Sequence, residues 1–134
     1  MDVTQDFDFV VIHTYTRAQA LEDGVLIDVT DMAQEAGIKH PTAVSANLYH
    51  NYIVPPLALA KEGQSIEGRL WDVLCIFRGA ALRSSSDTIE FPVRFRMQPF
   101  LGRPSPGENI SITAKVHPGD CGEPVITLML PGDD

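Results

Sequence analysis

Residues 69–97 read RLWDVLCIFRGAALRSSSDTIEFPVRFRM, and the apolar period changes partway through them. Leu70, Val73, Leu74, Phe77 and Ala81 recur at the spacings of one helix face, with Arg69, Asp72 and Arg78 off that stripe. Trp71 and Ile76 broaden the apolar surface, which predicts a helix over 69–82 covered on two sides. Ser84, Ser85, Ser86 and Asp87 make a loop. From Ile89 the period is two: Ile89, Phe91, Val93, Phe95 and Met97 alternate with Glu90, Arg94 and Arg96, as a half-buried strand requires. Pro92 falls on the outward set, which suits an edge strand or a bulge.

Downstream, Ile110, Ile112, Ala114 and Val116 alternate with Ser111, Thr113 and Lys115, and the apolar run Val125–Leu130 follows the turn HPGDCGEP. Three consecutive strands with Pro-rich or short connections predict an antiparallel meander. The last strand is apolar on both faces apart from Thr127, so it belongs in the middle of a sheet or in a seam with a second copy of the chain. Packing Trp71, Leu74 and Phe77 on Phe91, Val93, Ile112 and Ile126 closes the core.

Upstream, Phe7–Ile12 reads as an N-terminal strand. Thr16 and Gln19 have capping-box spacing, and Gly24 is placed to stop the helix between them. Val25–Val29 makes a strand, Asp31–Ala36 a short helix, and Gly37 a second stop. Ser45 caps a helix carrying Leu48, Tyr49, Tyr52 and Ile53, which Pro55 and Pro56 end. The fold class is α+β: an N-terminal strand and short helices, then one central amphipathic helix packed on a mainly antiparallel sheet that ends in a three-stranded meander.

The totals suit one domain over residues 1–134, with 44% hydrophobic and 21% charged residues. Eighteen acidic against 10 basic residues give a net charge of −8, which opposes approach to nucleic acid and anionic membranes. Arg94, Arg96 and Arg103 are the basic cluster that a DNA-binding reading would need. The N-terminus lacks a basic leader and no apolar run reaches membrane-spanning length, so a cytoplasmic location is expected.

Chemistry is sparse. His117, Asp120 and Cys121 come together in HPGDCGEP, but Asp120 and Glu123 oppose a thiolate, and a polar turn built on Pro118, Gly119 and Gly122 explains the same residues. His117 and Cys121 lack the further ligands of a zinc site, and His13, His40 and His50 are scattered, so no metal and no cofactor are expected. No GxGxxG, GxxxxGK, GxSxG or HExxH pattern occurs. Phe100 and Leu101 beside Arg103 have the composition of an interface anchor, or of a flap that folds back over the core.

YTRAQALEDGVLIDVTDMAQEAG at 15–37, GRLWDVL at 68–74 and PGDCGEPVITLMLPGDD at 118–134 resemble a bacterial domain-of-unknown-function family. Its members are small acidic proteins that recur among plasmid, integrative-element and phage-derived genes. The resemblance implies no catalytic residues. Small size, acidity and the lack of a catalytic constellation favour a non-catalytic accessory protein of a mobile element that binds another protein, extending to antagonism of host defence. A small enzyme or ligand-binding domain with its site near His117–Cys121 is the alternative. Phe100, Leu101 and the double-faced final strand also motivate a homodimer.

Overall fold

The computed structural model describes residues 15–97 and 107–133. Its strands are β1 (Leu26–Asp28), β2 (Thr42–Ser45), β3 (Thr88–Phe95), β4 (Glu108–Pro118) and β5 (Pro124–Met129). The helices are α1 (Arg17–Glu22), α2 (Thr30–Glu35), α3 (Ala46–Leu48), α4 (Leu57–Ala60) and α5 (Ile66–Leu82), with a π-helical turn Tyr49–Ile53 directly after α3. The five strands form one sheet in the order β1-β2-β5-β4-β3. Among the described residues only the β2–β5 pairing is parallel, so the architecture is α+β with a mainly antiparallel sheet and a β3–β4–β5 meander.

β5 lies at the centre, which answers the apolar character of both its faces. Ile126 and Leu128 point into the core, while Val125, Thr127 and Met129 are buried on the opposite face. β3 is an edge strand, and its outward residues Glu90, Pro92 and Arg94 are exposed. That combination protects a free edge, because proline offers no N–H and the charged side chains resist pairing with another strand. The cross-strand pairs Phe91↔Ile112, Val93↔Ile110 and Ile89↔Ala114 face α5.

α5 begins three residues earlier than its apolar stripe predicts, because the Ser65 side chain accepts from the Gly68 N–H. Leu70, Val73, Leu74 and Phe77 are buried against the sheet, with Phe77 and Phe91 ring centroids 5.9 Å apart. Trp71 and Ile76 correct the reading of a doubly covered helix, since each is 40% exposed. The core stripe already saturates the single sheet face, and Trp71 points away from it. Arg69 is the reverse case, charged yet only 5% exposed. Its guanidinium donates to the carbonyls of Tyr52 and Arg96 and lies over the Phe95 ring.

Before α5 the chain is a series of short elements. Thr16 and Gln19 form the capping box reciprocally, and Gly24 and Gly37 follow α1 and α2 with positive φ. β2, with the sequence TAVS, has no counterpart in the sequence reading because four residues without a bulky pattern give no period. Its pairing with β1 and β5 supplies the missing signal: all four residues are buried. The expected strand Phe7–Ile12 lies outside the described residues.

Candidate functional site

Pleating sends alternate residues of β4 and β5 to the sheet face opposite α5, so Lys115, His117 and Thr127 share that outer face. α1 lies beside them. Two hydrogen bonds hold it there, from the Arg17 and Ala18 N–H groups to the Asp120 carboxylate at 2.8 and 3.0 Å. A carboxylate placed on orphan N–H donors is favourable for the helix dipole as well as for hydrogen bonding. Asp120 is therefore a long-range cap that joins the β4–β5 turn to the first helix.

Arg17 reaches back across the sheet, donating from Nη1 to Thr127 Oγ1 at 2.8 Å and from Nη2 to the Ile126 carbonyl at 2.9 Å. Thr127 Oγ1 lies 2.8 Å from His117 Nε2, and His117 Nδ1 lies 3.1 Å from the Pro118 carbonyl. A carbonyl only accepts, so Nδ1 donates in that contact, and Nε2 faces the Thr127 hydroxyl. The result is a chain of hydrogen bonds linking Arg17, Thr127, His117 and the Pro118 carbonyl. Burial pushes the Arg17 guanidinium below its ordinary range, while Asp28, Asp120 and Glu123 act in the opposite direction.

A cavity of about 450 Å³ opens over these hydrogen bonds, with Arg17, Lys115, His117, Asp120, Thr127 and Asp133 among its lining residues. Asp133 accepts from Ser45 Oγ, Asn47 Nδ2 and the Leu130 N–H, which ties the C-terminal turn to α3. Burial raises the Asp133 pKa, but the three hydrogen bonds outweigh it and hold the carboxyl below its ordinary value.

The remaining polar groups of the turn serve its own geometry. The Cys121 N–H donates to Glu123 Oε2 at 2.9 Å, and the thiol is free and exposed. A Cβ on Gly119 would collide with the Glu123 carboxylate and Val125, so glycine is needed there for close packing. The structure brings His117 and Asp120 to one cavity and leaves Cys121 outside the hydrogen bonds that link Arg17 to His117. Among the described residues, no three His, Cys, Asp or Glu side chains gather as a metal site.

Of the three arginines in the DNA-binding reading, Arg94 donates to Asn109 and Arg96 pairs with Glu62 at 2.9 Å. Arg103 lies outside the described residues, as do Phe100 and Leu101. Arg17, Lys115 and Thr127 had no mark as site residues in the sequence. The one signal was Thr127 itself, the sole polar residue of an otherwise apolar strand.

A second surface stands out on α5. Trp71, Cys75, Arg78 and Leu82 recur at i, i+4, i+7 and i+11 and form an exposed stripe on the side away from the core. Ile76 flanks it, and Leu82 is 72% exposed. Among the described residues no helix is long and apolar enough to cross a membrane.

Comparison with curated proteins and with solved structures finds no match to this chain. A protein-family model described as a family of unknown function, DUF6573, matches residues 6–134. Covering nearly the whole sequence, that match places the chain in the DUF6573 family.

Proposed function

We propose that this protein is a non-catalytic accessory protein of mobile genetic elements that works in the cytoplasm by binding another protein. The observation that carries the reading is the outward stripe of α5. An exposed tryptophan beside Cys75, Ile76 and Leu82, with Arg78 among them, has the residue types that anchor protein interfaces. Hydrophobic side chains clustered on one exposed helix face require a reason that scattered ones do not. The use of Asp120 as a helix cap and of Glu123 in its own turn further supports a binding role over catalysis.

Affinity capture from bacterial lysate tests the proposal when the wild-type chain is run beside Trp71→Ala and His117→Ala. A partner retained by wild type and His117→Ala but lost by Trp71→Ala is the expected result. Capture that is indifferent to Trp71 would remove the stripe from the interface. The partner class includes a second copy of the chain, and light scattering at high micromolar concentration distinguishes a dimer from the 14.7 kDa monomer. The central place of β5 removes that strand as a dimer seam, so a homodimer would use the α5 stripe instead.

The cavity over Arg17, Lys115 and His117 favours a second reading, a ligand-binding domain whose site is the outer sheet face. In that case His117→Ala, not Trp71→Ala, abolishes the phenotype of the gene.

A further inference from the structure

We infer that the groove between the C-terminal half of α5 and the link following α2 is a binding site for a small amphiphilic carboxylate. The groove is distinct from the outer-face cavity and lies on the core side of the sheet. It holds about 450 Å³. Ile38, Phe77, Ala81, Val116 and Ile126 contribute its apolar wall, and Leu82 stands at its mouth. A volume in this range and a mainly apolar lining suit a compact ligand.

The charged side chains that line the groove are both basic. Lys39, His40 and Arg78 line it, and among the described residues no carboxylate does. The side chains of Lys39 and Arg78 make no hydrogen bond or ion pair among the described residues. Arg78 is also held in place, because its stem and Nε pack on Gly37. A Cβ at that position would stand 2.8 Å from Nε, and Gly37 has a φ of +90° that disfavours any other residue.

Two cations and a histidine lining one groove, with no acidic residue among the described lining, are unexpected on a chain of net charge −8. They call for an anionic group, with an apolar body to fill the wall behind it. Overall negative charge repels a polyacidic segment far more than a monoanion, so the complementarity favours one carboxylate on a short hydrocarbon chain.

Calorimetry on the full chain with hexanoate, octanoate and decanoate tests the assignment, with octanol and octyltrimethylammonium as controls. Affinity should rise about fourfold per added methylene until the groove is filled. The alcohol and the cation should bind at least about tenfold more weakly than octanoate, since each lacks the charge-assisted contact. Arg78→Glu should weaken octanoate about tenfold or more. Leu82→Ser, an exposed and neutral change at the mouth, gives an independent reading of the apolar contact should Arg78→Glu disturb the fold. Absence of carboxylate binding overturns the inference. So does equal affinity for octanol, or octanoate binding indifferent to both variants. Arg78 and Leu82 border both this groove and the exposed α5 stripe, whereas Trp71 belongs to the stripe alone, so Trp71→Ala is expected to leave octanoate binding intact.

Discussion

Replacing Arg69 with methionine keeps an apolar stem of similar length and deletes only the guanidinium. In the native protein that group donates to the Tyr52 carbonyl at 2.8 Å, to the Arg96 carbonyl, and over a long 3.4 Å contact to Gln64 Oε1. It thus ties the π-helical turn to α5 and to the end of β3. Each hydrogen bond from a charged donor contributes about 1.5–3 kcal/mol, so the two carbonyl bonds together amount to about 3–6 kcal/mol. Part of this is offset in the variant. A charge that is only 5% exposed no longer has to be desolvated, and the half-buried carbonyls regain water. A net loss of about 2–3 kcal/mol remains. In urea denaturation followed by circular dichroism, a slope of about 2 kcal/mol per molar places the midpoint about 1–1.5 M lower. Arg69→Lys should restore less than half, because a single ammonium cannot span both carbonyls. A loss below about 0.5 kcal/mol in Arg69→Met would refute the view of Arg69 as a clip between three elements.

Leu74→Ala should cost about 2–5 kcal/mol, because Leu74 is fully buried on the sheet, whereas Trp71→Ala on the exposed side should cost clearly less; denaturation midpoints decide the order. Asp120→Ala removes the carboxylate from two N–H groups of α1 and should destabilise by about 1 kcal/mol, with hydrogen exchange accelerating selectively in residues 17–22. The Asp133 carboxyl has a folded pKa below its ordinary 3.8, so its stabilisation is complete above that ordinary value and disappears as pH falls through the lower folded pKa. Asp133→Asn should therefore lower stability at neutral pH and flatten the acid limb of the stability profile; an unchanged acid limb would show that the bonds to Ser45, Asn47 and Leu130 do not persist in solution.

The expected membership of a family of unknown function is met by a match over residues 6–134. For the site, sequence proximity was a partial guide. His117 and Asp120 do meet at one cavity, yet Arg17 arrives there from more than a hundred positions away. The same is true of the groove, where Lys39 and Arg78 come from different helices' neighbourhoods and neither belongs to a recognisable motif.

Local periodicity determined the central helix, the alternating strands and the edge character of β3, because side-chain spacing alone decides which face of a helix or strand is apolar. The capping box at Thr16 and the glycine stops are equally local, since the hydrogen bonds and dihedral angles involved span only a few residues. Other features required the folded chain. TAVS becomes a strand only because β1 and β5 flank it, and Trp71 faces outward only because a single sheet face was available to cover α5. Asp120 becomes a helix cap, and Arg69 a buried clip, through partners distant in sequence. In each case the deciding quantity is the satisfaction of a backbone polar group or the filling of one packed layer, and both depend on which residues the topology brings together.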